Sequence, residues 1–395
     1  MSGTLNSIYN NTSYALSLNA AAMGALQEQV STGSHINRAS DDPSAAYQVL
    51  GLNSQKRSLQ NYMDNISEIS SILETSTATI QTMVSAISQT KASLSQILSG
   101  TYDETGRKRF ADQINDTLEQ MVSLANTQNL GQYIFGGGNT SSAPYAVQRT
   151  GGEITSVTYQ GGSQQRNVEV APGVQSSAYY AGKDVFCSDN RDTPEFLGDT
   201  GAAVGSGTSS VKGNVWLTVT NDAGHYYLSI DDGATKVNVD DAADLSNVAV
   251  TNSSGQVLYV DAAHINSTGV NMVSVPGTCD IFNTLITVRD LLKNERGLSN
   301  AQLSQFRSGL SDSLDEVYNL LVGKETSIGS KIGFIDNLKN SLENIKNNTE
   351  DEATILQEAD IAQLAIDITR RQTLYQMSLA VAGKLMSMSL LDFIQ

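Results

Sequence analysis

Residues 361–379 read Ile-Ala-Gln-Leu-Ala-Ile-Asp-Ile-Thr-Arg-Arg-Gln-Thr-Leu-Tyr-Gln-Met-Ser-Leu. Ile361, Leu364, Ile368 and Tyr375 recur at helical spacing. Ile355 and Leu356 precede them, and Met377, Leu379, Val381, Leu385, Met386 and Met388 follow, carrying the apolar character nearly all round the helix. A helix apolar on most faces has to be buried somewhere, and this one is expected to find its cover in other molecules.

The opening residues have the same character. Across residues 1–37 Glu28 is the only acid, and no Lys or Arg precedes Arg38. Leu5, Ile8, Tyr9, Leu16, Met23, Leu26 and Val30 fall at helix-compatible spacing, and Ala20, Ala21 and Ala22 favour helix by propensity. Ordering forty residues costs on the order of 1–2 kcal/mol each in backbone entropy. Ten or so large apolar side chains return at most about 1.5–3 kcal/mol each, and only when fully buried. The two ends are therefore expected to stay unfolded or frayed in a lone subunit and to fold on assembly. The expected interface is Leu5, Ile8, Leu16, Met23, Leu26 and Val30 with Ile361, Leu364, Ile368, Tyr375, Leu379 and Leu385.

Between the first helix and the next lies a break. Gly33 suits a helix C-terminus, and Asp42 before Pro43 suits an N-cap and first helical position. Gly33, Asn37, Arg38, Asp41, Asp42 and Pro43 are the expected joint. From Ala45 a strong seam follows through Ile66, Ile69, Leu73, Ile80, Val84, Ile87, Leu94 and Ile97, uninterrupted by Gly or Pro after Leu52. A helix of about 50 residues would run roughly 75 Å. Residues 99–106 read as a turn, and a second helix is expected from about Arg107 to Asn129.

The chain changes character at Gly131-Gln-Tyr-Ile-Phe-Gly-Gly-Gly138. Beyond it come short alternating runs at Ile154–Tyr159, Asn167–Val170, Val215–Thr220, Tyr226–Ile230, Lys236–Val239 and Gln256–Val260, with Asn221-Asp-Ala-Gly224 as a hairpin turn. Helical periodicity returns at Cys279 and continues through Leu303, Phe306, Leu310, Leu314, Val317, Leu321, Ile328, Ile332, Ile335, Leu338 and Leu342 to Ile345, and Asn347–Glu352 reads as a polar joint. The fold class is thus mainly α with an all-β insertion: a long coiled-coil-like bundle from both chain halves, with terminal helices forming an assembly core. The expected division is 1–42 and 347–395 as terminal assembly helices, 43–137 and 277–346 as the two halves of the bundle, and 138–276 as a β-rich outer domain.

Composition excludes several functions. With 24 basic against 41 acidic residues the net charge is −17, which argues against nucleic acid and anionic membranes as partners. No early cationic run with an apolar core marks a Sec-type signal, and no continuous apolar stretch of about 18 residues marks a membrane span. His35, His225 and His264 are isolated, and Gly136-Gly-Gly138 lacks a phosphate-loop frame. Asp231-Asp-Gly233 opens like a calcium loop, but Ala242 stands where the twelfth-position Glu belongs, so a tight turn is expected. Cys187 and Cys279 match no metal spacing and are expected as two free thiols. No catalytic, cofactor or metal site is expected, and the chain is not expected to be an enzyme.

Val30-Ser-Thr-Gly-Ser-His-Ile-Asn-Arg-Ala-Ser-Asp-Asp-Pro-Ser-Ala-Ala46, with Ile361-Ala-Gln-Leu-Ala365, Gln372-Thr-Leu-Tyr-Gln-Met-Ser-Leu-Ala380 and Leu390-Leu-Asp-Phe-Ile394, resembles the flagellin superfamily of bacterial axial proteins. Tyr133-Ile-Phe-Gly-Gly136, Gly182-Lys-Asp-Val-Phe186 and Asp280-Ile-Phe-Asn-Thr-Leu285 resemble that family's segments around its β domain. The resemblance implies a structural protein exported unfolded through the flagellar type III apparatus, without a cleaved signal, and placed outside the cell. It implies a homo-oligomeric ring or helical layer between hook and filament, a hook-associated protein and flagellin as neighbours, and an export chaperone. A filament subunit, or a surface adhesin acting through the insertion, are the alternatives.

Overall fold

A computed structural model describes the backbone of residues 2–99 and 104–394, and their side chains apart from those of residues 2–6, 8, 98, 99, 307 and 385–394. Helix α1 (Ser2–Thr32) is followed by α2 (Pro43–Ser99) and α3 (Glu104–Ala125). Residues 100–103, in the middle of the expected turn, lie outside the described residues. Three hairpins come next: β1 (Gln128–Asn129) with β2 (Gln132–Tyr133), β3 (Tyr145–Thr150) with β4 (Glu153–Tyr159), and β5 (Arg166–Ala171) with β6 (Val174–Tyr179). After the short helix α4 (Gly182–Phe186) come β7 (Glu195–Leu197), β8 (Ala203–Val204), β9 (Gly213–Asp222), β10 (His225–Ser229), β11 (Val237–Asn238), β12 (Val248–Thr251), β13 (Val257–Asp261) and β14 (Gly269–Val275). The chain closes with α5 (Ile281–Lys293), α6 (Asn300–Gln357) and α7 (Ile361–Ile394). Long helices flank a β-rich region, as the two periodicities expect, but α3 stops at Ala125 rather than Asn129, because Gln128–Asn129 pairs with Gln132–Tyr133 as a hairpin.

By its internal contacts the chain divides into two compact units: Met1–Asp64 with Leu338–Gln395, and Asn65–Asn337. In the first, α1 packs against α7 and the start of α2 is tied to the end of α6. Lys56 reaches Glu350 at 2.6 Å and Lys346 reaches Gln60 at 2.8 Å, so four places forward on α2 match four places back on α6. The pair is antiparallel. Its buried residues are few and mostly small, among them Ala46, Val49, Leu59, Leu342, Ala353, Ala359 and Leu364.

The second unit holds the main core. Gln81 donates to Glu325 at 2.8 Å and Lys91 pairs with Asp315, setting the same antiparallel relation there. Of the expected seam, Ile66, Ile69, Leu73, Ile80, Ile87, Leu94 and Ile97 of α2 are buried, while Val84 is half-buried and its neighbour Met83 takes the inner place; Phe306, Leu310, Leu314, Val317 and Leu321 of α6 are buried too. Helix α3 packs on α5, whose Ile281, Phe282, Leu285, Val288, Leu291 and Leu292 are all buried. Asp280 caps α5 by accepting from the Phe282 and Asn283 N–H groups, and Asn294 closes it in the left-handed conformation.

The insertion is antiparallel throughout. A five-stranded sheet in the order β11-β10-β9-β14-β7 and a three-stranded sheet β12-β13-β8 share one core of Val211, Leu217, Val219, Leu228, Val250 and Leu258. The expected hairpin turn is present: Ala223 and Gly224 both have positive φ between β9 and β10, as a two-residue turn requires. The turn expected at Asp231-Asp-Gly233 is present too. The Asp231 carboxylate accepts from the N–H groups of Thr235 and Ser253 and from the Ser229 and Thr235 hydroxyls. Strands β3, β6, β7, β8, β12 and β14 lie outside the runs expected from alternation. β6, Val-Gln-Ser-Ser-Ala-Tyr, buries its serines, so polarity no longer tells inside from outside.

Three segments far apart in sequence meet beside α5. Gly136 bridges Ala181, the Gly182 N–H donates to the Phe135 carbonyl at 2.8 Å, and Cys187 bridges Asp280. Phe135, Tyr145, Tyr159, Phe186 and Phe282 interleave there, with ring centroids 4.8–6.1 Å apart in edge and tilted contacts. Gly182 permits this closeness, since a Cβ would stand 2.7 Å from the Tyr145 ring.

Candidate functional site

The first unit contains the residues singled out as a joint and as an interface. α1 ends at Thr32, and Gly33 takes φ +70° while its N–H donates to the Gln29 carbonyl at 2.8 Å. Asp42 Oδ1 accepts from the N–H groups of Ser44 and Ala45, both at 3.0 Å, with Pro43 as first residue of α2. Asp41 Oδ2 accepts from the Asn37 and Arg38 N–H groups at 3.1 and 2.8 Å. Asn37 takes the Thr32 hydroxyl at 2.8 Å and gives its amide to the Ser34 carbonyl at 3.2 Å. Arg38 reaches Glu28 at 3.3 Å on the surface. All six expected joint residues therefore lie in one short, internally bonded connection.

The second break lies against the first. Asn347–Glu352 is helical, contrary to expectation, and α6 continues to Gln357. Exposed Asn, Glu and Asp side chains do not stop a helix that packs on one side. The interruption comes at residues 358–360, where the Asp360 carboxylate caps α7 by accepting from the Gln363 N–H at 3.0 Å. Ser34 and Glu358 form an antiparallel bridge: the His35 N–H donates to the Gln357 carbonyl at 2.6 Å and the Ala359 N–H to the Gly33 carbonyl at 3.0 Å. Glu358 and Ala359 were missed as joint residues, although Asp360 directly before an apolar run is an N-cap signal.

The two ends, expected unfolded in a lone subunit, are helices that pair here. Mutual cover of their inner stripes supplies part of the burial that a single helix lacks. Leu16, Met23 and Leu26 of α1 and Ile368 and Tyr375 of α7 are half-buried in that pairing, with Arg371 reaching Asn19 at 3.2 Å. Leu364 is 7% exposed. Its assignment to an intermolecular face is thus corrected: it is already covered within its own subunit. Val30, Ile361 and Leu379 face outward, as do Tyr9, Tyr14, Leu18, Ile366, Leu374, Met377 and Val381, which are not among the expected interface residues. Leu5, Ile8 and Leu385 lie outside the described side chains. Helical spacing marks every apolar position alike, so the inner stripe and the outer one could not be separated before the pairing was known.

The rest of the molecule offers little chemistry. Among the described residues no group of three or more His, Cys, Asp and Glu is placed to hold a metal ion, and no helix is long and apolar enough to cross a membrane. His225 pairs with Asp240 on the surface. Cys187 and Cys279 are free thiols. Burial, with Asp280 beside it, pushes the Cys187 thiol up, and burial pushes Cys279 up to about 11.

Residues 4–140 match the family model of the bacterial flagellin N-terminal helical region. The flagellar hook-associated protein 3 of Salmonella typhimurium is 27% identical over 164 residues, covering 41% of this chain and 50% of that protein. Its Escherichia coli counterpart is 25% identical over 162 residues, covering 41% and 49%. The chain spans about half the length of the curated relatives it matches. Among solved structures, a flagellar hook-associated protein 3 from Legionella pneumophila superposes with a TM-score of 0.53 at 16% identity, over 77% of this chain and 98% of that one. At that identity the likeness is one of fold.

Proposed function

From a chain whose first third is of the flagellin N-terminal type, we infer a structural subunit of the bacterial flagellum that joins hook to filament. The observation that carries this reading is the paired α1 and α7, which turn a second apolar stripe outward at Tyr14, Leu18, Ile366, Met377 and Val381. So much exposed apolar surface on adjoining helices suits a face that neighbouring subunits cover. In this reading copies of the chain form a ring or helical layer, with a hook-associated protein on one side and flagellin on the other. An export chaperone covers α7 beforehand, and the chain passes the type III apparatus unfolded. The family is structural, and the chain's role is assembly rather than catalysis.

Electron microscopy of a strain lacking this protein tests the reading. Hooks without filaments, with flagellin lost to the medium, is the expected picture. Normal filaments would refute it, and thousands of copies per flagellum in place of a few would make the chain a filament subunit.

A further inference from the structure

Trp216, the single tryptophan, lines a solvent-open cleft of about 530 Å³ bordered by β4, β9 and α5 in the second unit. A cleft of that size accommodates a ligand of several rings. Its charge is opposite to that of the chain around it. Residues 138–276 hold only six Lys and Arg against fourteen acids, yet Lys183 and Lys212 line this cleft. Arg296 joins them, 4.9 Å over the Trp216 ring and forked onto Asp232 at 2.5 and 2.9 Å. Lys212 is 2.8 Å from Asp189, whose carboxyl is held low by that hydrogen bond first and by the fields of Arg191 and Lys183 as well. Among the charged side chains of the lining, Lys183, Lys212 and Arg296 outnumber Asp232 and Asp280. The Asp280 carboxylate, half-buried, is engaged by the α5 amides.

Two polar groups in the lining are unused. The Lys183 ammonium and the Asn283 side-chain amide have no protein partner among the described residues, and Gln256 has only its oxygen engaged, by Asn252. We propose that this cleft binds an acidic sugar chain, its carboxylates on Lys183 and Lys212 and its hydroxyls on the amides of Asn283 and Gln256. Amide side chains give the paired donor and acceptor that neighbouring sugar hydroxyls take up. A strand-adding acidic peptide finds no edge at β9, which is hydrogen-bonded by β10 and β14, and although β4 pairs with β3 alone, the free side-chain amides of the lining favour the sugar.

Trp216 reports binding directly. The full chain titrated with oligogalacturonate should show a saturable change in Trp216 fluorescence that weakens with added salt. The double variant Lys183→Glu, Lys212→Glu should bind at least about tenfold more weakly, as loss of paired charges does. Lys183→Gln, which reverses no charge, should weaken binding less while keeping the wild-type melting temperature. No saturable change, equal binding of a neutral maltooligosaccharide, or poly-aspartate binding as tightly would overturn the proposal. The inference is independent of the junction reading, since the double variant should still be incorporated into flagella.

Discussion

Arg289 on α5 donates through Nη1 to the carbonyl oxygen of Ile154 on β4 at 2.6 Å, deep inside the second unit. The same nitrogen reaches Asn115 of α3 at 3.1 Å, Nε reaches Asp290 at 2.8 Å, and Glu153 stands 3.9 Å away. The guanidinium is 3% exposed. One side chain therefore ties the β3–β4 hairpin to two helices.

Removing it should be costly. Arg289→Leu leaves the Ile154 carbonyl and the Asn115 amide without this partner in a buried site, and the expected loss is about 3 kcal/mol. Arg289→Lys should recover little, because an ammonium cannot reproduce the planar fork. Urea unfolding followed by circular dichroism measures both. A loss under about 1 kcal/mol for the Leu variant would mean that water replaces the guanidinium.

The inner and outer stripes of α7 should respond differently to charge. Met377→Asp and Ile366→Asp alter side chains about 60% exposed, so the free subunit should keep its stability within about 0.5 kcal/mol while incorporation into flagella fails. Leu364→Asp buries an unpaired carboxylate in the subunit itself and should destabilise the first unit by several kcal/mol. Calorimetry of purified subunits, beside a motility assay, separates the two. Normal swimming of the Met377→Asp strain would show that the outer stripe meets nothing.

The joint should depend on its caps. Asp42→Ala should cost about 1 kcal/mol and Asp42→Ser much less, since a hydroxyl can accept from the same N–H groups. Amide exchange at Ser44 and Ala45 reads this locally. Unchanged protection in the Ala variant would assign the order of the joint to its bridge with residues 357–359.

Acid should loosen the turn around Asp231. The N–H of Thr235 first, then that of Ser253 and the Ser229 and Thr235 hydroxyls, hold its carboxyl down at about 2. A carboxyl depressed in the folded state contributes stability that is complete above its unfolded value, roughly 3.9, and is lost as pH falls toward about 2. Wild type should therefore lose stability across that window, and Asp231→Asn should lose less of it. Identical acid transitions in the two proteins would remove Asp231 from the account.

The thiols should be inert in the folded protein. With Cys279 up at about 11 and Cys187 pushed up as well, little thiolate exists at neutral pH. Iodoacetamide should modify neither at an appreciable rate until urea is added, as mass spectrometry would reveal. Rapid labelling of native protein would contradict the burial, and failure to label in urea would reveal a bridge.

Local chemistry was enough for much of this protein. The 3.6-residue period of the seams, the αL position at Gly33, the Asp42–Pro43 cap and the Ala223–Gly224 turn depend on neighbours in sequence, so they were legible there. So was the change from helical to alternating pattern after Gly131. What the tertiary structure decided is which partner each apolar stripe meets. Leu364 and Met377 look alike in sequence, yet one is covered by its own chain and the other is open, because helix pairing divides a helix into two faces that periodicity alone does not label. The bridge between residues 33–35 and 357–359, the strand status of serine-rich β6 and the gathering of Lys183, Lys212 and Arg296 around Trp216 are set by contacts across tens to hundreds of residues. No local propensity encodes them.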